Sequence, residues 1–267
     1  MVKWKVVGFS FTRLTNPGRT AARVRSPLSW ERSGMSTFED MSFLLEKFAG
    51  KVRLFPLPNL VLFPHVMQPL HVFESRYRDL LEDALRDDRL IAMAVLAPGW
   101  QSDYEGRPPL RRFACLTRVT THHRLDDGTY NVLVLGLRRV RLVRELEPLR
   151  SYREAEVELC EDYDPPEQAA ARRALRGQLR NAFIRILPVL PDAHEQIDQL
   201  LGSDISLGVL TDVLGYMLQI DLDAKAALLS ESDVHRRGKM LLAHLAAVAE
   251  QPAETGAIPF PPQFSAN

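Results

Sequence analysis

Apolar and polar positions divide this chain into a strand-rich first half and a helical second half. Residues 52–73 read VRLFPLPNLVLFPHVMQPLHVF, with the apolar run broken by Pro56, Pro58 and Pro64. Proline lacks a backbone donor and holds the residue before it extended, so this stretch predicts strand rather than helix. Two short strands are expected at 52–57 and 66–73, joined by a proline-kinked loop that presents Leu60, Leu62 and Phe63. The period then changes. Tyr77, Leu80, Leu81, Ala84 and Leu85 recur at helical spacing, with Arg78, Asp79, Glu82 and Asp83 on the other side.

Strands return after that helix. Residues 90–97, LIAMAVLA, form a continuous apolar run, the pattern of a strand covered on both faces. Pro98-Gly99 ends it, and an irregular loop follows with Trp100 and Tyr104. Phe113, Cys115, Thr117, Val119 and Thr121 alternate as in a half-buried strand. Asp127-Gly128 then marks a hairpin, since glycine tolerates the positive φ of a tight turn. Gly136 interrupts the returning strand and predicts a bulge or bend. Val140 and Leu142, then Ala155, Val157 and Leu159 against Glu154, Glu156 and Glu158, add further strands. Many short strands with one early helix predict a closed or nearly closed β-barrel, not a doubly wound sheet.

The segment EDYDPP, 161–166, reads as a domain boundary because adjacent acids and paired prolines neither bury nor continue a strand. Helices are expected at 167–187, near 193–201, at 207–218 and 222–230, with a last one to about 250. Ser206 and Asp221 stand at N-cap positions, and Ser232 or Asp233 can cap the last helix. The expected architecture is α+β, with a barrel at 46–161 and an all-helical bundle at 162–250. A poorly ordered extension, 1–45, with a short helical pattern at 38–48 precedes them, and a disordered proline-rich tail, 251–267, follows.

Composition narrows the chemistry. With 46% hydrophobic and 25% charged residues the chain is globular. Cys115 and Cys160 are too few for a disulfide framework and are expected as free thiols. Residues 1–30 carry six bases and no acid, so the zero net charge leaves the remainder at −6, which argues against nucleic acid as partner. That basic start reads as an upstream extension rather than an organellar import signal, and the expected location is the cytoplasm. No apolar run has the roughly 18–20 residues needed to span a bilayer, so no membrane partner is expected.

Catalytic motifs are missing from the sequence. Gly50-Lys51 and Gly238-Lys239 lack the upstream glycine and the following Ser/Thr of a phosphate-binding loop. Past residue 50 the lysines are Lys51, Lys225 and Lys239, the last two on amphipathic helices where a solvated face is the default. His122 and His123 are adjacent on a strand and point to opposite faces, so they do not share a metal ion with Cys115. His194-Glu195 lacks the second histidine of a metalloprotease helix. Neither enzyme activity, metal nor cofactor is expected.

Three stretches carry a family resemblance. LFPLPNLVLFP followed by PLHVFESRYRDLLEDAL resembles the opening of the Lon N-terminal, substrate-binding domain. FACLTRVTTHHRLDDGTYNVLVLGLRRVRLVRELE resembles the central hairpin of its PUA-like barrel, and SLGVLTDVLGYMLQIDLDAKAALLSESDVHRRGKMLLAHL its closing helices. The resemblance covers about 51–248 and implies a PUA-like barrel followed by a helical bundle. His65 stands where Lon sequences typically carry glycine. A full Lon protease continues into ATPase and protease modules, for which 267 residues leave no room. The resemblance therefore implies non-enzymatic recognition of unfolded or degron-bearing polypeptides, as an adaptor or competitor for a separate Lon protease.

Two surfaces are candidates for that role. Leu60, Leu62, Phe63 and Met67 lie around the proline loop, and Trp100 and Tyr104 on the second loop, as apolar groups for a polypeptide to cover. The alternative is an RNA-binding PUA-like module using Arg138, Arg139, Arg141 and Arg144, although that strand carries no aromatic platform for bases.

Overall fold

The computed structural model describes residues 45–186 and 205–250. The expectations for 1–44, for a helix at 193–201 and for the tail lie outside them. From Gly50 onward the described residues belong to one compact unit.

Six strands form one mixed sheet: β1 (Lys51–Leu57), β2 (Met67–Val72), β3 (Leu90–Val95), β4 (Phe113–Arg124), β5 (Tyr130–Glu145) and β6 (Arg153–Cys160). Helix α1 (Ser75–Arg86) makes the crossover that lets β1 and β3 pair in parallel; the other ladders are antiparallel. The strand order is β2-β5-β4-β3-β1-β6, and β6 also pairs with β5. The ladder β5-β4-β3-β1-β6 thus returns to β5, while β2 is added at one end.

Cross-strand partners share a face, so the register sorts the side chains. Leu54, Ala92 and Leu116 form one row, and Ala114 with Val140, Leu142 with Val157 and Val52 with Ala155 share that face. The opposite face carries Phe55, Met93, Cys115 and Arg139 in a row toward the helices. Every residue of β3 is buried, as its unbroken apolar run predicts. The first half of β4 is buried on both faces as well, where its alternation predicts a half-exposed strand: Ala114, Cys115, Leu116 and Thr117 have no exposed surface. The strands expected on either side of Gly136 are one sixteen-residue strand. A bulge opposite Leu116 and Thr117 absorbs one residue there, and pairing resumes beyond it.

Among the described residues four helices follow: α2 (Ala169–Ile186), α3 (Leu207–Met217), α4 (Leu222–Ser230) and α5 (Val234–Glu250). Ser206 caps α3 through the Val209 amide, and Asp221 caps α4 through that of Ala224. Asp233, not Ser232, caps α5, accepting from the amides of His235 and Arg236. Leu175, Leu179 and Phe183 of α2 join Val234, Leu241 and Leu245 of α5 in one cluster with Phe55, Met93 and Cys115 of the sheet. The helices complete the core of the sheet. Residues 161–166 are anchored, since Tyr163 bridges to Asp233 and Asp162 is ion-paired to Arg237.

Candidate functional site

The loop between β1 and β2 is a plug. Leu62 and Phe63 have no exposed surface, and Leu60 packs against the core half-buried. The amide of His65 donates to the Gly136 carbonyl at 2.9 Å, and the Gly136 amide to that of Val66 at 2.8 Å. A Cβ at Gly136 would lie 2.1 Å from the Phe63 carbonyl oxygen, so the loop backbone crosses β5 where no side chain fits. The Phe63 ring reaches Gly215 on α3 and fills the space between sheet and helix. The expectation that Leu62 and Phe63 face a partner is therefore corrected: burial of two large apolar groups outweighs their irregular backbone.

Met67, at the end of the plug, is half exposed. Register places it beside Leu135 of β5 and Arg118 of β4; the next row is Pro69, Leu133 and Thr121, and the third His71, Asn131 and His123. Met67, Pro69, Leu133 and Leu135 make an apolar patch on one sheet face, partly open to solvent. His71 Nδ1 and Asn131 Oδ1, 2.8 Å apart, close its lower edge. Leu133, Leu135 and Pro69 were legible as strand residues, but only the register brings them to Met67.

Trp100 and Tyr104 sit on a short 3-10 turn, half-buried and edge-to-face at 5.6 Å. The Tyr104 hydroxyl donates to Glu74 at 2.7 Å, and Arg76 lies over both Tyr77 and Tyr104. Their contacts run to the start of α1, not to β2.

The arginine strand is tied up within the protein. Arg139 is buried and reaches Asp212 with both terminal nitrogens, Asp162 at 3.3 Å and the Leu229 carbonyl at 3.1 Å. Arg141 pairs with Glu158 and Arg144 with Glu156, while Arg138 is exposed. The expected cationic face is thus corrected, because the bulge before Arg138 turns Arg139 toward the helices. Beside it Arg237, fully buried, bonds Thr211 at 2.8 Å and grips Asp162 at 2.9 and 2.6 Å. Burial opposes the Asp162 charge, but the bond and field of Arg237 hold its carboxyl below the usual range. Burial lowers His65, whose Nε2 lies 3.9 Å from Asp212, and Arg138 and Arg139 add to that against the pull of Asp212. Sequence reading missed this quartet, although an arginine among Val234, Leu241 and Leu245 at helical spacing signals a buried charge in need of acids.

No group of three or more potential metal ligands occurs among the described residues. Cys115 is buried and Cys160 half-buried, both free. No described helix is long and apolar enough to cross a membrane.

The model of the ATP-dependent protease La (LON) substrate-binding domain matches residues 51–247. The chain belongs to the Lon substrate-binding domain family. Lon protease 2 of Myxococcus xanthus is 27% identical over 189 residues, 71% of this chain and 22% of that protein. Lon protease of Xanthomonas oryzae pv. oryzae is 30% identical over 189 residues, with coverage of 70% and 22%. The chain therefore spans about a quarter or less of these curated relatives. A Lon N-terminal domain protein from Xanthomonas campestris shares the fold at TM-score 0.53 and 26% identity, covering 72% of this chain and 97% of that one. The N-terminal domain of Mycobacterium avium complex Lon protease matches at TM-score 0.58 and 18% identity, with 73% and 98% covered. Among the described residues, this Lon N-terminal fold comprises the mixed sheet and five helices.

Proposed function

We propose that this Lon-family chain binds apolar segments of unfolded or degron-bearing polypeptides on the sheet face of Met67, Pro69, Leu133 and Leu135, without catalysis, in the cytoplasm. The scaffold on this reading is a PUA-like barrel, formed where the ladder from β5 returns to β5. The observation that carries the proposal is the half-exposed Met67 in a cross-strand apolar patch of a Lon substrate-binding domain. Methionine suits varied clients, since its flexible thioether adapts to differing side chains. Covering these apolar groups contributes roughly 25 cal/mol per Å² removed from water. The cost of association offsets much of that gain, which suits reversible capture and release. Delivery to a separate Lon protease is the accompanying role.

The arginine strand offers RNA no comparable surface, because Arg139 is buried and Arg141 and Arg144 are paired with glutamates. Fluorescence anisotropy with labelled, reduced and carboxymethylated α-lactalbumin tests the proposal. Saturable binding is expected, weakened at least tenfold in Met67→Asp/Leu135→Asp with unchanged circular dichroism. Absence of saturation by the wild type overturns it.

A further inference from the structure

Among the described residues, β2 is the end strand of the sheet and bonds to β5 alone. Its apolar pattern does not fix its register. Gln68, Leu70 and Val72 point inward and Met67, Pro69 and His71 outward, yet each set holds two apolar residues. A slip by one residue would exchange the two faces and remove Met67 from the surface.

What distinguishes the observed register is a buried polar anchor. Gln68 is 1% exposed. Its Oε1 accepts from the Tyr216 hydroxyl at 2.7 Å, and its Nε2 donates to the Pro69 carbonyl at 2.8 Å. The Gln68 side chain thereby satisfies the Pro69 carbonyl within β2. Tyr216 sits on α3 and is held from its other end, since Lys225 Nζ on α4 donates to the Tyr216 carbonyl at 2.8 Å. Burial pushes the Tyr216 phenol up to about 12, which keeps it a donor.

We infer that Tyr216 is a positioning residue: through Gln68 it sets the register of β2 and so keeps Met67 and Pro69 on the outer face. Its consequence for binding rests on the proposed function, while its effect on β2 does not. Moving Gln68 outward would take the buried Gln68 amide from its site and leave the hydroxyl of the half-buried Tyr216 without that partner, a penalty an apolar anchor would not impose. Tyr216 touches the inner side of β2, so its contribution to binding is indirect.

The test is Tyr216→Phe in the full chain, with hydrogen exchange of the peptide spanning 66–73 followed by mass spectrometry, and α-lactalbumin binding measured in parallel. Exchange in 66–73 is expected to rise at least tenfold while α5 is unchanged, and affinity to fall three- to tenfold. Gln68→Met, which keeps the buried volume and removes both bonds, is expected to behave alike and serves if Tyr216→Phe does not fold. Unchanged exchange at 66–73 overturns the inference, as does raised exchange with undiminished affinity. Raised exchange in a protein whose wild type binds no α-lactalbumin upholds the positioning of β2 and overturns the polypeptide-binding reading instead.

Discussion

His65 and Gly136 show what a single position can demand. His65 has φ 64°, a left-handed conformation that costs a side chain about 1–2 kcal/mol. His65→Gly removes that strain but adds freedom to the unfolded chain worth roughly 0.5–1 kcal/mol. A net gain of about 0.5–1 kcal/mol, read as a Tm rise of about 2–3 °C, is expected in thermal unfolding. Gly136→Ala goes the other way. Its Cβ would meet the Phe63 carbonyl oxygen at 2.1 Å, backbone against backbone, and a loss of about 3 kcal/mol or more is expected in urea unfolding. Both positions were marked in the sequence, one as an interrupted strand and one as a departure from the family glycine. Their cause was not legible, because Phe63 and Gly136 lie 73 positions apart and no local period joins them. The inward turn of Leu62 and Phe63 was hidden for the same reason: prolines announce irregular backbone but not which side it packs on.

Among the elements, caps, periods and the irregularity at Gly136 were legible, but not the face to which it sends Arg139. Ser206, Asp221 and the helix 222–230 follow from local chemistry, as does the hairpin at Asp127-Gly128, where Gly128 takes a φ of 79°. The extra residue in β5 reverses the alternation after Leu137, which sends Arg139 to Asp212. Arg139→Met is expected to lower stability by about 3–5 kcal/mol, since it leaves a buried carboxylate short of a partner. Arg139→Met/Asp212→Leu is expected to recover most of that loss in the same denaturation series. Lys225 gives a pH dependence. Burial pushes its ammonium down to about 8, so between pH 8 and 10 the unfolded chain holds the proton that the folded protein releases. Its contribution to stability therefore rises with pH across that window. Cys115 and the buried tyrosines, raised by burial, act in the opposite sense, so the sign is read from a comparison. From pH 7.5 to 9.5, wild type is expected to gain about 1–2 kcal/mol relative to Lys225→Met in urea unfolding.

At the scale of the molecule, the order of strands and helices was legible, but the continuity of the core was not. Periodicity assigns each element an apolar side without naming its partner, so a helical half reads as a bundle with its own interior. Instead Phe183, Leu210 and Leu245 share one cluster with Phe55 and Met93, and Asp162, at the expected boundary, is gripped by Arg237. The face proposed for polypeptides was legible at Met67 alone, because Leu133 and Leu135 join it through β2–β5 pairing across the sheet. The measurement that bears most directly on this face is photo-crosslinking to unfolded α-lactalbumin, with a photoreactive amino acid at Met67 or at Leu149. Leu149 is 86% exposed and lies beyond the far end of β5, roughly 30 Å or more along the strand from Leu135, which makes it a control for mere accessibility. The expected result is an adduct at position 67, competed by unlabelled α-lactalbumin, and little or none at 149. Equal adducts at both positions, or an adduct at 149 alone, would contradict the account.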